Sequence, residues 1–377
     1  MNSPRRAFLK ISLESLALIP AITFARASGI CSDLVSETVS THESERGQSF
    51  IDIQTYGGPD FEAAKVLEAG LTAIVIDIPA YPRTFENAVH GMAEWNYAIR
   101  KPDSQMYKVL TANDLERAKG QNRLGVILSC QDGQILDAST QSVYDYNLQN
   151  LQLFYDLGMR ILTLTHNERN ALGDSFREES DAGLSYLGRS VIDFMNTLGM
   201  IVDLSHCGDR TSREAITQSK KPCTVTHAGC RQLYPSLRNK SDELIRSLAE
   251  RGGLFGVYNM SNWLTTGDDA SVDTVIDHLE HAVNVGGIDH VAFGSDGPPL
   301  QIDDLDAELK GIQEYYRQNL GTPGAEEIPS HIRVRQLNTP QRMQVLAEAF
   351  QKRGYTADAV DKIMGGNFRR VFGEICG

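Results

Sequence analysis

Short runs of apolar and β-branched residues recur along the chain from residue 50 onward, and segments with apolar positions three and four residues apart lie between them. This alternation is typical of βαβ units around a parallel sheet. The runs that we predict as strands are 50–53, 71–78, 124–129, 160–165, 200–204, 223–226, 254–258 and 290–293. Eight parallel strands close a (β/α)8 TIM-type barrel, so we expect one α/β domain of this kind over residues 49–377.

Helical patterns fill the intervals between the predicted strands. They cover 60–69, 112–118, 144–157, 187–198, 210–218, 242–250, 272–285, 339–353 and 357–364. Two insertions, 79–113 and 298–340, follow the carboxyl ends of strands, where barrel enzymes place their active-site loops. Residues 277–281 contain two histidines without the spacing of a helical metal motif, and we interpret this segment as a solvated helix face.

The N-terminus has a different pattern. Arg5-Arg6 precedes an apolar run at 13–24 and the small-residue sequence Ala25-Arg26-Ala27. This order resembles a twin-arginine export signal, and a run of about 12 residues is too short to span a bilayer. We therefore expect a signal peptide at 1–27, a polar linker at 28–48, and a periplasmic protein without a membrane span.

Composition narrows the class of partner. The chain has a formal net charge of -13, 41% hydrophobic residues and 23% charged residues, which is typical of a globular protein. A strong negative balance disfavours binding to nucleic acid, which needs clustered lysine and arginine. The six cysteines lack C-x-x-C spacing, so we expect free buried thiols. A small molecule remains the expected partner, and a homodimer stays open.

Four residues of chemical interest stand at the ends of predicted strands. His166, His206 and His227 each end or follow such a run, and Asp296 follows the eighth. The carboxyl ends of barrel strands share one mouth, so we expect these side chains to meet there. Two neutral imidazoles from neighbouring strands can share a divalent metal. The pattern therefore predicts an active-site mouth.

Around these positions the sequence resembles the membrane (renal) dipeptidase family, from about Phe50 to the end. The segments that carry the resemblance are 157–166 (LGMRILTLTH), 199–206 (GMIVDLSH), 236–239 (SLRN), 286–296 (GGIDHVAFGSD) and 365–372 (GGNFRRVF). The family implies a (β/α)8 fold and a two-zinc site that cleaves dipeptides.

The resemblance also implies roles for individual residues. His206 and His227 match the two histidine ligands of the second zinc. His166 matches the histidine that contacts the substrate and the tetrahedral intermediate, and Asp296 matches the aspartate beside the metals. Arg238 matches the arginine that holds the substrate carboxylate, which suits the fork of a guanidinium.

Three positions depart from the family pattern. The first strand of the family reads D-G-H-N-D, whose histidine and second aspartate bind the first zinc, whereas this chain has Gln54 and Tyr56 there. The bridging glutamate of the family aligns with Gln131, a neutral amide. Asp132 is a candidate substitute ligand, although a shift by one residue along a strand reverses the side-chain direction. The chain thus resembles a divergent, twin-arginine-exported branch that lacks part of the binuclear site.

Three functions are consistent with these residues. The leading hypothesis is a periplasmic hydrolase of dipeptide-like or small amide substrates with one zinc at His206 and His227. The alternatives are a catalytically silent protein without zinc that binds a small peptide or peptide-derived metabolite, and a maturation factor for an exported peptide natural product. The first predicts imidazole nitrogens roughly 3 to 4.5 Å apart. It also predicts that Arg238 faces the same mouth and that Gln54, Tyr56 and Gln131 line the opposite wall.

Overall fold

The computed structural model describes residues 49–137, 145–266, 270–321 and 327–377. The expected signal peptide and polar linker lie outside these residues. The strands are β1 (Phe50–Tyr56), β2 (Leu71–Asp77), β3 (Met106–Lys108), β4 (Leu124–Cys130), β5 (Met159–Thr163), β6 (Ile201–Asp203), β7 (Thr224–Ala228), β8 (Leu254–Val257) and β9 (Val291–Phe293). All pairings between them are parallel, in the order β1-β2-β4-β5-β6-β7-β8-β9. The expected (β/α)8 barrel is confirmed.

The barrel closes at its carboxyl end, where β1 meets the segment after β9. The amide of Tyr56 donates to the carbonyl of Gly297 (3.1 Å), and the amide of Asp296 donates to the carbonyl of Gln54 (2.9 Å). In the pairing with β2, the two residues between Asp52 and Thr55 lie opposite the single residue between Ile74 and Ile76. Such a bulge changes the phase of the side chains beyond it, so the end of β1 is re-aimed at the mouth.

The helices are α1 (Ala63–Glu68), α2 (Phe85–Arg100), α3 (Ala112–Gly120), α4 (Asp145–Leu157), α5 (Tyr186–Leu198), α6 (Asp209–Gln218), α7 (Asp242–Glu250), α8 (Val272–Gly286), α9 (Leu305–Gln318), α10 (Arg342–Lys352), α11 (Ala357–Asp361) and α12 (Asn367–Cys376). Sequence patterns predicted nine of them. The helices α2 and α9 lie inside the two insertions, as does the short strand β3, and α12 follows a π-helical turn at Lys362–Gly366. Among the described residues no helix combines the length and apolarity needed to cross a membrane.

The helix α12 closes the floor of the barrel. Its buried residues Phe368, Val371, Phe372 and Ile375 recur at intervals of three and four, so they form one stripe. The stripe belongs to one apolar cluster with interior side chains of the strands, including Ile53, Val75, Ile127, Ile161 and Ile201. A larger cluster fills the layer between the strands and the outer helices. The floor therefore comes from the end of the chain rather than from the strands.

His278 and the described cysteines are largely buried. The solvated helix face expected at 277–281 is wrong for His278, which is 1% exposed. Its Nδ1 accepts from the amide of Cys230 (2.9 Å) and its Nε2 donates to the carbonyl of Leu264 (3.0 Å), so it bonds α8 to two loops. The described cysteines are free and four of the five are buried, as expected.

Candidate functional site

A cavity of about 370 Å³ opens at the carboxyl ends of the strands. Small-molecule sites span roughly 300 to 1,000 Å³, so the cavity suits a ligand of dipeptide size. Six of its polar lining residues lie at or just after strand ends: Tyr56, Asp77, Gln131, His166, His206 and Asp296. Three more come from the two insertions: Tyr81, Glu308 and Arg333. The apolar lining includes Ile78, Pro79, Met260, Ile312 and Ile332. Most of that apolar wall belongs to the two insertions.

His206 and His227 face each other at this end of the barrel. His227 lies in β7 and His206 in the turn after β6, the neighbouring strand. Their Nε2 atoms are 2.9 Å apart, just under the expected range of roughly 3 to 4.5 Å. Burial first, and the charge of Arg238 second, hold the pKa of both imidazoles well below the usual range. Both rings are therefore neutral near pH 7, the form in which imidazole binds a metal.

The hydrogen-bond partners assign the ring protons of this pair. Arg238 Nη2 lies 3.1 Å from His206 Nε2 and can only donate, so that nitrogen accepts. His206 then donates from Nδ1 to Asn167 Oδ1 (3.0 Å). His227 donates from Nε2 to His206, and its Nδ1 accepts from Thr226 Oγ1 (2.9 Å). The two nitrogens that a shared metal would bind are thus held by an N–H···N bond and by a guanidinium.

Asp203, at the end of β6, binds the strand ends that carry this pair and was not identified from the sequence. It is fully buried and accepts from the hydroxyls of Thr163 (2.8 Å), Ser205 (3.0 Å) and Thr224 (3.1 Å) and from the amide of Thr226 (2.7 Å). These donors come from three adjacent strands or the turns after them. A carboxylate that accepts from all of them fixes the strand ends that carry both histidines.

His166 lies against His206, with ring centroids 4.3 Å apart in a stacked arrangement. Burial, followed by the charges of Arg83, Arg238 and Arg177, lowers its pKa to about 3. In the described part of the chain neither ring nitrogen has a hydrogen-bond partner, and the ring lines the cavity. A neutral His166 can therefore donate one hydrogen bond to a ligand oxygen.

Arg238 is close to the histidines but does not line the cavity. It is fully buried, donates to the carbonyl of Ser205 (2.7 Å), and lies 5.2 to 5.7 Å from the ring centres of Phe176, Tyr258 and Trp263. Burial lowers its pKa. Among the described residues no carboxylate pairs with it, and its Nε has no partner. Such an uncompensated guanidinium suits an anionic group, although the expected exposure to the mouth is not seen.

The opposite wall is only partly as expected. Tyr56 and Gln131 line the cavity, whereas Gln54 does not. The side-chain amide of Gln54 donates to the carbonyl of Thr55 instead (3.2 Å). The backbone amide of Gln131 donates to Asp77. The side-chain Oε1 of Gln131 is buried without a partner among the described residues. Asp77 is held by a two-pronged ion pair with Arg83 (2.7 and 3.2 Å). Asp77 was missed because nothing local distinguishes it from other strand-end carboxylates.

A second buried arginine reaches this wall from the 298–340 insertion. Arg333 donates to the hydroxyl of Tyr56 (3.0 Å), to the carbonyl of Asp296 (2.8 Å) and to Glu308 on α9 (2.9 Å). Its side chain is 4% exposed. Burial raises the pKa of Tyr56 even though Arg333 opposes that change, so the phenol stays protonated near neutral pH. The sequence alone does not single out Arg333, because no motif links it to a residue 277 positions away.

Asp296 has an unusual backbone. Its φ of 51° is left-handed, which is uncommon outside glycine and is found at functional sites. Burial raises the pKa of its carboxyl, against the charges of Arg333 and Arg238. Asp132, by contrast, points away from the site: it accepts from the amide of Gln134 (2.9 Å) and from Asn170 (2.8 Å). Asp296 thus lines the same cavity as His166 and His206, whereas Asp132 is engaged elsewhere.

The side chains around the cavity determine how many metal ions the site can hold. Within the described ranges no three His, Cys, Asp or Glu side chains are grouped so as to hold an ion. Neither Tyr56 nor Gln131 supplies a carboxylate or an imidazole, and the nearby carboxylates Asp77 and Glu308 are held in ion pairs with arginines, so these residues do not fit a binuclear centre. His206 and His227 supply two ligands for a single ion, and Arg238 would have to leave His206 Nε2.

Most of the barrel is similar to known proteins. The family model for membrane dipeptidase (Peptidase family M19) matches residues 57–316. The chain is 27% identical over 308 residues to dipeptidase tcpJ of Claviceps purpurea, and 34% identical over 168 residues to an uncharacterized dipeptidase of Schizosaccharomyces pombe. These matches cover 80% and 44% of this chain but 65% and 40% of the relatives, so the chain spans less than two thirds of either.

Solved structures resemble the same part of the chain. An amidohydrolase from Pseudomonas aeruginosa has a TM-score of 0.75 at 26% identity, over 87% of this chain and 96% of that one. A metallo peptidase from Rhodobacter sphaeroides, liganded with a phosphinate mimic of the dipeptide L-Ala-D-Ala, has a TM-score of 0.65 at 17% identity, over 85% and 91%. The second likeness shows the fold alone.

Proposed function

The chain belongs to the membrane dipeptidase family, peptidase family M19, and on that basis we propose that it hydrolyses dipeptide-like or small amide substrates with a reduced site that holds one metal ion. The observation that carries the proposal is the pair of neutral imidazoles, His206 and His227, whose Nε2 atoms lie 2.9 Å apart beside a cavity of dipeptide size. The family is one of metal-dependent dipeptidases. We propose that the single ion is zinc.

The residues around the pair support the chemistry of amide hydrolysis. A bound divalent ion lowers the pKa of a coordinated water and polarises a carbonyl. In the reaction, water oxygen adds to the amide carbon, the C–N bond breaks, and the leaving amine takes a proton. His166 is placed to donate to the oxygen of the amide carbonyl. Among the described cavity carboxylates, Asp77 and Glu308 are held in ion pairs, which leaves Asp296 to accept or pass on a proton.

A second function, binding without turnover, is favoured by one observation. Arg238 donates to His206 Nε2, the atom that a metal would need, and no third ligand is grouped with the pair among the described residues. A protein in this state would bind a small peptide, or a metabolite derived from one, through His166, and Arg238 would reach an anionic group only by moving from its buried position. Metal content and turnover separate the two functions.

The experiment measures metal content and turnover on the same samples. The purified protein is dialysed against zinc, assayed for bound metal and tested on a panel of dipeptides, beside a His206→Gln/His227→Gln variant. The control is His90→Gln, which removes an exposed histidine from α2. We expect about one ion per chain and turnover in the wild type and the control, and neither in the double variant. Metal-free wild type that binds a dipeptide without cleaving it would favour the second function, and two tightly bound ions would refute the reduced site.

We further propose that the protein is exported by the twin-arginine route and acts in the periplasm. The proposal rests on the order of Arg5-Arg6, the apolar run and Ala25-Arg26-Ala27. Replacement of Arg5-Arg6 by Lys-Lys should leave the protein in the cytoplasm, because the export machinery reads the arginine pair. Fractionation measures this, and normal export of the Lys-Lys variant would contradict it.

A further inference from the structure

The cavity wall formed by Tyr56 and Gln131 contains a hydroxyl group that can donate a hydrogen bond. Tyr56 stands where the resembled family has a metal-binding aspartate, and its ring lines the cavity. Its hydroxyl oxygen accepts a hydrogen bond from Arg333 Nη2 at 3.0 Å. A guanidinium has no acceptor, so the proton of Tyr56 is not used in that bond. Within the described residues no acceptor for this proton is found, and the O–H group can donate into the cavity.

The arginine behind Tyr56 is held in place by several contacts. Arg333 forms an ion pair with Glu308 (2.9 Å) and donates to the carbonyl of Asp296 (2.8 Å), and its side chain is 4% exposed. A cation that donates to a phenol oxygen in a poorly solvated site polarises the O–H bond and makes it a stronger donor. Arg333 and Glu308 both come from the 298–340 insertion, whereas Tyr56 ends β1. The insertion therefore brings a guanidinium, together with its own counter-ion Glu308, to the hydroxyl of Tyr56.

We propose that the Tyr56 hydroxyl replaces the first metal ion as the group that polarises the carbonyl of a bound dipeptide, by donating a hydrogen bond to its oxygen, with Arg333 as the residue that positions and polarises it. The inference rests on the proposed hydrolysis. Hydrogen bonds aimed at a developing oxyanion act mainly in the transition state. Tyr56 should therefore contribute to kcat far more than to KM.

The test removes the hydroxyl oxygen alone. Tyr56→Phe is compared with the wild type and with Tyr97→Phe, a control on α2 where the tyrosine is 71% exposed. Three quantities are measured at equal metal content: kcat and KM for the best dipeptide, and the Kd of a phosphinate mimic of that dipeptide, whose tetrahedral anion resembles the intermediate. In Tyr56→Phe we expect kcat to fall by about 10²-fold and the phosphinate Kd to rise by a similar factor, with KM changed by less than about threefold. Tyr97→Phe should match the wild type.

Two further outcomes are informative. If Tyr56→Phe keeps kcat and phosphinate affinity within about threefold of an active wild type, Tyr56 only braces the insertion and the inference is wrong. If the wild type cleaves no dipeptide and binds phosphinate no better than dipeptide, the hydrolysis itself is refuted, and this shows before any variant is made. Arg333→Lys is a second variant, in case Tyr56→Phe does not fold: it keeps the charge but loses the guanidinium fork, and should lower kcat with KM little changed. An Arg333→Lys protein with normal kcat would also contradict the inference.

Discussion

His278 provides a test of how burial at one histidine changes the pH dependence of stability. Its Nδ1 accepts from the amide of Cys230, so a proton on that nitrogen would face an N–H group. Burial lowers its pKa from 6.5 to about 4. The perturbation is His278→Gln, because a glutamine can accept from one amide and donate to the carbonyl of Leu264 but cannot be protonated.

The magnitude follows from the two pKa values. In the unfolded chain the imidazole takes up a proton as the pH falls through 6.5, whereas in the folded protein it stays neutral until about pH 4. The stabilisation is therefore fully present above pH 6.5 and is lost as the pH falls toward 4, by about 3 kcal/mol in all, of which about 2 kcal/mol is lost by about pH 5. His278→Gln has no such loss. Between about pH 7.5 and about pH 5 the free energy of unfolding of the wild type should therefore fall by about 2 kcal/mol more than that of the variant.

Denaturant unfolding at about pH 7.5 and about pH 5 measures this difference, with the m-value checked for constancy. His90→Gln controls for the removal of one histidine, since His90 is exposed. The other buried histidines are present in both proteins and cancel in the comparison. A difference between wild type and His278→Gln that stays constant to within about 0.5 kcal/mol across this range would refute the reasoning.

Three further predictions concern the floor and the site. Phe372→Ala should lower the free energy of unfolding by about 3 to 5 kcal/mol, measured by denaturant, because it leaves a cavity between α12 and the strands; a loss under about 1 kcal/mol would show that the stripe is not core. Asp203→Asn should weaken zinc binding by about 10- to 100-fold in a competition titration, since the strand ends lose their common acceptor; unchanged affinity would contradict this. Gln131→Glu should not raise the metal content, because Gln54 and Tyr56 still supply no ligand; a second tightly bound ion in that variant would show that one carboxylate suffices.

The sequence predicts the barrel well because its signal is local. Each of the eight strands is a short apolar run, and His206 and His227 follow neighbouring runs, so their meeting follows from topology. The burial of His278 also follows from a local pattern, because it lies three residues after buried Val275 and four before buried Ala282 on the same helix face.

Other parts of the site depend on contacts that no local pattern encodes. The meeting of Arg333 with Tyr56 requires an insertion to fold back over the mouth, and insertions have no periodicity that fixes their path. The sequence places Arg238 near the histidines. Whether its long side chain lines the cavity or lies on the far side of His206 depends on its rotamer and on the surrounding aromatic rings. The departure of Gln54 from the cavity wall similarly follows from the bulge in β1.

The floor helix affects when the protein can fold. The interior side chains of β1 and β2 lie early in the chain, yet the stripe of α12 that covers them comes from residues 367–376. During synthesis the amino-terminal ends of those strands stay uncovered until residues 367–376 have been made, and contacts of such sequence separation are slow to form. Until then a nascent chain exposes an apolar barrel bottom that chaperones can bind. Folding of this barrel is therefore expected to complete only after α12 has emerged from the ribosome.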